Sequence, residues 1–283
     1  FGIRFKGRSD TSASTYSGPK AFSEPETQAL RDFVESHPNI AVALDYHSQG
    51  NVFFPAHKFN HEAEVDTTDL NTLCANMAWE IRKVSGRRYG IHRGKPPTNL
   101  INGSQREYLY HRGILSTVVE VGTRNIPDYF EDMTQSVNEN IPALVHALSV
   151  TSNYGSSAPA RPSQFNLRRG SDTELELEWD YEGTDSVYFE VFRSIEHKSH
   201  CNEETRVGIT RNRHFTDIQL EPGTNYYYKV RAISESNDQA GPFAPELKLR
   251  TELAEHQFRR TIFPAPQKIG YLSEKNQKKN GSH

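Results

Sequence analysis

The sequence predicts two folded parts in tandem: an α/β domain over residues 1–150 and an all-β sandwich over residues 163–252. Three observations predict this. Two short apolar runs, Ile40–Leu44 and Ile114–Val121, stand among stretches whose apolar residues recur at helical spacing. Beyond residue 162 the apolar residues recur at every second position. Between the two patterns, residues 151–162 (TSNYGSSAPARP) have the composition of a linker, and residues 253–283 read as a polar tail.

In chain order, residues 1–20 read as loop. Ser23-Glu24-Pro25-Glu26 matches a capping box with proline in the first helical turn, so a helix is expected to bury Leu30, Phe33 and Val34 and to stop near His37-Pro38. Ile40, Val42 and Leu44 alternate with small alanines, the pattern of a strand buried on both faces. It ends on His47, followed by Ser48 and the break at Gly50. A histidine just past the carboxyl end of such a strand can be a metal ligand, a catalytic base or a polar residue closing the strand.

A helix opening at Thr67 or Thr68 carries Leu70, Leu73, Met77, Ile81 and Val84 on one stripe. Gly86 to Gly103, with Pro96-Pro97, reads as a long loop. Ile114–Val121 is a second buried strand, and a helix from Tyr129 to Leu148 should kink or break at Pro142. In the second part Leu175, Leu177 and Trp179 alternate with glutamates, followed by Val187, Phe189 and Val191, then Tyr226, Tyr228, Val230 and Ala232.

Glu120 stands among valines in the second strand. An ionised carboxylate there is costly unless paired, so it is either held by a cation or several donors, or kept as a general base. With His47 in the same sheet, a metal-holding histidine and a water-activating glutamate form a coherent hydrolytic pair. Composition narrows the rest. The net charge of −3 gives no electrostatic case for nucleic acid as a partner. No apolar run approaches the roughly 18 residues that span a membrane. Cys74 and Cys201 lie far apart, so no disulfide framework is expected. The chain begins with Phe1, which leads us to expect a longer polypeptide upstream.

At YSGPKAFSEPET (Tyr16–Thr27), the strand ending in His47-Ser48 and the strand carrying Glu120, the sequence resembles the zinc carboxypeptidases of the pancreatic A and B type. The resemblance implies a mixed sheet covered by helices, a catalytic Zn2+ at its edge with His47 as third ligand, Glu120 as general base, and the C-terminus of a peptide or protein as substrate. Ser48 and Arg106 are its candidate substrate contacts. Arg106 suggests a preference for acidic C-terminal residues; a one-residue slip would put Glu107 in the pocket and reverse the charge, and an exposed loop arginine is the alternative. The family's mobile tyrosine falls near Asn99 and is not assignable to Tyr89, Tyr108 or Tyr110. The family's first two ligands come from an H-x-x-E motif before the SEPET box, but the first histidine here is His37. The α/β domain is therefore expected to be N-terminally incomplete, leaving the run at Ile40–Leu44 uncovered.

Leu220-Glu221-Pro222-Gly223-Thr224-Asn225-Tyr226, with Trp179, resembles fibronectin type III, an immunoglobulin-like sandwich with Tyr226 at its tyrosine corner. Such a module implies attachment to a surface or carbohydrate, and the pair of resemblances implies an extracellular protein. Two alternatives keep the same residues: a cell-wall peptide hydrolase of the same family, and a catalytically degenerate protein that binds peptides or surfaces.

Overall fold

A computed structural model describes residues 1–2, 5, 10–14, 16–57, 67–92 and 103–252. The Pro96-Pro97 and Asn99 portion of the long loop and the tail 253–283 lie outside the described residues.

Pro25 opens helix α1 (Pro25–Ser36), but the cap is Glu24 and not Ser23. The residue before a proline is held extended, here at φ −91°, ψ 138°, so the helix starts one residue later than the capping box places it. The Ser23 hydroxyl donates instead to the Glu24 carboxylate at 2.8 Å. Val34 is buried, whereas Phe33 is 54% exposed and stacks on His37.

Strands β1 (Val42–His47), β2 (Val52–Pro55), β3 (Gly90–Ile91) and β4 (Leu115–Glu120) form a mixed sheet in the order β1-β4-β2-β3. β1 runs parallel to β4, and β2 antiparallel to it. The β1 run expected to be buried on both faces is only partly buried, because among the described residues β1 is an edge strand paired with β4 alone. On one face lies α2 (Thr67–Ser85), whose Leu70, Leu73, Met77 and Ile81 are buried against Phe53, Leu115 and Val119. Each such side chain contributes about 1.5–3 kcal/mol. Val84, expected on the same stripe, lies in the last turn and is 52% exposed. A short helix, α3 (Gln105–His111), precedes β4 and buries Tyr108, Leu109 and Tyr110. A π-helical turn (Tyr129–Met133) leads into α4 (Thr134–Ser149), which continues through Pro142 without ending. Asp128 caps that turn, accepting from the backbone N–H groups of Phe130 and Glu131 at 2.9 and 3.0 Å.

The second part is a sandwich of two antiparallel sheets. One has the order β11-β10-β7-β8 and the other β5-β6-β9. The strands are β5 (Ser163–Arg169), β6 (Leu175–Asp180), β7 (Val187–Ser194), β8 (Arg206–Thr210), β9 (His214–Asp217), β10 (Asn225–Ser234) and β11 (Leu247–Arg250). Leu175, Leu177, Trp179, Phe189, Val191, Tyr228 and Val230 fill the core as the period of two requires. The Tyr226 hydroxyl accepts the backbone N–H of Glu221 at 2.9 Å, which is the tyrosine-corner bond.

Segment 151–162 is not an extended tether. It opens with a 3-10 turn (Thr151–Tyr154), and Tyr154 packs against the α/β core. At the first turn of α2, Asp69 is fully buried; it pairs with Arg161 at 2.6 Å and accepts the backbone N–H of Phe243 at 2.9 Å. Thr68 accepts from the Glu246 N–H at 2.8 Å, and Asn76 from the Cys201 N–H at 2.7 Å. Together these bonds dock the β10–β7 sheet on α2. They explain why Lys229, on the face of β10 away from the sandwich core, is only 2% exposed.

Candidate active site

Parallel pairing of β1 with β4 sets His47 opposite Glu120. Residues opposite each other in a parallel ladder project from the same face, so the two side chains are neighbours at the carboxyl ends of both strands. Val52 pairs with Glu120 from the other side, so Glu120 stands on a strand paired on both edges. The register is locked by the Val121 N–H donating to the His47 carbonyl at 2.8 Å and the Gly50 N–H donating to the Gly122 carbonyl at 3.0 Å. Gly50 suits this crossing: a Cβ there would lie 3.0 Å from Val52 Cγ1 and 3.4 Å from Glu120 Cβ.

The two side chains sit in different surroundings. His47 is exposed, and its Nε2 lies 3.2 Å from Asp45 Oδ1, two residues back on the same face of β1. Glu120 is partly buried, and its Oε2 is sealed from solvent without a hydrogen-bond partner. A carboxylate oxygen in that position is costly to the fold and available to a ligand or a proton. Ser48, joined to Gln49 by a cis peptide, donates its hydroxyl to the Asn125 carbonyl at 3.0 Å. Beside His47 and Ser48 opens a cavity of about 620 Å³, closed on the helix side by Met133 of the π-helical turn and Val137 and Ile141 of α4. Behind the end of β4, Glu139 is fully buried, accepting from the Tyr89 hydroxyl at 2.8 Å and from Arg87 at 3.3 Å.

Arg106 is neither exposed nor on a loop. It lies on α3, is 4% exposed, and donates to Glu107 at 2.9 Å and to the Phe54 carbonyl at 3.1 Å. It does not line the cavity beside His47. Tyr89, Tyr108 and Tyr110 are all buried. Asp45 escaped the sequence reading. Its signal was available, because positions 45 and 47 share a face of any strand through them.

A zinc site of three protein ligands and a water needs three converging donors. Among the described residues no three His, Cys, Asp or Glu side chains are placed to hold a metal ion. His47 is one imidazole beside one carboxylate, so these residues by themselves do not fit zinc.

Comparison with known proteins gives the frame for this partial site. The family model for zinc carboxypeptidase matches residues 2–143. Carboxypeptidase B of Astacus astacus is 37% identical over 87 residues, which are 30% of this chain and 29% of that protein. Carboxypeptidase B of Canis lupus familiaris is 28% identical over 35% of this chain and 24% of its own length. Carboxypeptidase A4 of Mus musculus is 26% identical over 38% of this chain and 26% of its own. The chain thus spans less than a third of the length of these curated relatives. Among solved structures, the sixth fibronectin type III domain of human fibronectin type III domain containing protein 3 aligns with 35% of this chain and 92% of its own, at 24% identity and a TM-score of 0.29. A sandwich of two antiparallel sheets follows the matched region, and with the family model covering half of its residues the chain belongs to the zinc carboxypeptidase family.

Proposed function

We propose that this chain carries one side of a metallocarboxypeptidase active site, which releases the C-terminal residue of a peptide or protein once polypeptide outside this sequence supplies the remaining metal ligands. The observation that carries the proposal is the register pairing of His47 with Glu120 at the carboxyl end of the sheet, with an unpartnered oxygen on Glu120. In this reading His47 is a ligand awaiting its partners. Glu120 takes and returns a proton at its carboxylate, whose Oε2 has no hydrogen-bond partner to give up. Ser48 would meet the substrate by exchanging its bond to the Asn125 carbonyl. Selectivity is assigned to Arg106 with Glu107: an acidic C-terminal side chain would have to displace Glu107 from the guanidinium. The domain limits near residues 150 and 163, an extracellular location, and a surface- or carbohydrate-attachment role for the sandwich belong to the same proposal.

The test is metal analysis joined to peptide hydrolysis on the full-length gene product. About one zinc per chain, lost in His47→Ala and kept in Glu120→Gln, is the expected result. For selectivity, release of C-terminal glutamate should exceed that of leucine, and Arg106→Ile should erase the difference. Faster leucine release with no effect of Arg106→Ile would remove Arg106 from the role.

A further inference from the structure

A second cavity lies away from the His47–Glu120 site, where the sandwich meets α2. It has a volume of about 280 Å³. Its floor is Ala75 and Ala78 of α2, whose small side chains leave the space open. Around the rim stand Arg82, Arg88, Lys198 and His200, with Glu196 as the one acidic side chain. With His200 neutral, the lining carries three positive charges against one negative.

Two of these groups, His200 and Arg82, are held against Trp79. His200 stacks on Trp79 with ring centroids 4.2 Å apart and planes 13° off parallel, and the Arg82 guanidinium sits 5.6 Å from the Trp79 ring centroid. The loop carrying Lys198 and His200 is tied down on both sides. Lys229 donates to the Ser199 carbonyl at 2.6 Å, Thr205 to the His200 carbonyl at 3.2 Å, and the Cys201 N–H to Asn76 at 2.7 Å. Lys198 itself is in the left-handed region at φ 60°, a conformation a lysine adopts only where its surroundings impose it. Neither Arg82 nor Arg88 has a carboxylate within ion-pair distance among the described residues; the nearby Glu80 is taken by Lys83 at 2.5 Å. Two guanidinium forks without acid partners, in a cleft with ordered walls, can each meet a pair of oxygens along one edge of a small oxyanion and lose little entropy on binding it.

We propose that this cleft between α2 and the sandwich binds a tetrahedral oxyanion, a sulfate or phosphate group, either free or as an ester on a glycan. Binding bridges the two halves of the chain, because Arg82 and Arg88 belong to one and Lys198 to the other. The proposal stands independently of the hydrolytic reading.

Trp79 provides the readout, since the only other tryptophan, Trp179, is buried in the sandwich core. Tryptophan emission of the full chain is titrated with sodium sulfate, with sodium phosphate and with a sulfated disaccharide, each against chloride at matched ionic strength. A saturable change is expected, lost in Trp79→Phe and weakened about tenfold to a hundredfold in Arg88→Gln. Lys198→Gln should weaken it in the same direction, and Arg168→Gln, on β5, should leave it unchanged. Disaccharide binding tighter than inorganic sulfate assigns the ester source, and equal affinities assign the free ion. The proposal is overturned by the absence of saturation below about 10 mM, or by equal affinities in wild type, Arg88→Gln and Lys198→Gln. Arg82→Gln is held as a further variant, because Arg82 also packs on Trp79 and its loss can disturb the fold; the wild-type titration decides the matter without it.

Discussion

Glu139 and Tyr89 show how much one buried side chain can hold at the end of β4. Glu139 has no solvent exposure, and its donors are the Tyr89 hydroxyl and Arg87. Burial pushes the Tyr89 hydroxyl up to about 12, so it remains a donor across the ordinary pH range. Tyr89→Phe removes the donor and leaves the carboxylate in place, which should cost about 1.5–3 kcal/mol, read as a lower urea midpoint. In the sandwich the Tyr226 hydroxyl accepts only a backbone N–H, so Tyr226→Phe should cost about 1 kcal/mol by the same measurement. His47 and Glu120 were legible as single residues because each is polar at the end of an apolar run. Asp45 was legible only through His47, two residues on and on the same face of the strand.

The elements were legible where periodicity was long. The α2 stripe, apart from Val84 in its last turn, and the alternation in β6 and β10 are seen in the structure as read. What failed was short or depended on partners: β3 has two residues, α3 seven, and β1 is only partly buried because of what lies beside it. The junction of α2 with the sandwich was invisible for the same reason, because its linker composition says nothing about what Tyr154 and Arg161 meet. Asp69 holds that junction. Asp69→Ala leaves Arg161 and the Phe243 N–H without their acceptor and should destabilise the chain by roughly 2–4 kcal/mol, toward the lower end because Arg161 is partly exposed. One cooperative transition for both halves should become two in calorimetry.

The junction is also sensitive to acid. Burial lowers the pKa values of His146 on α4 and His200 in the cleft. Around His146 stand Glu80, Arg231 and Lys83; around His200 stand Glu204, Lys229, Glu196 and Arg82. A histidine whose folded pKa lies below its ordinary value of about 6.5 binds fewer protons in the folded chain than in the unfolded one. Its contribution is therefore complete above pH 6.5 and is lost as the pH falls below it. The melting temperature should drop between pH 7 and pH 5, and less steeply in His146→Gln.

At the scale of the whole molecule, two features belong together: the open edge of β1 and the outer face of α4, where Val137, Ile141 and Leu148 are 49%, 50% and 71% exposed. An apolar face beside an unpaired strand edge invites association. The chain alone should show a concentration-dependent mass in sedimentation, and Ile141→Lys with Val137→Lys should suppress it. The same surface borders His47 and Ser48, so whatever covers it also closes the cavity beside them.

The most direct test of the account is zinc content measured together with release of C-terminal residues on the full-length gene product and its Glu120→Gln variant. The account predicts about one zinc per chain in both proteins, and hydrolysis only in the one that keeps Glu120. A full-length protein without stoichiometric zinc, or a Glu120→Gln variant that hydrolyses peptides as fast as the parent, would contradict it.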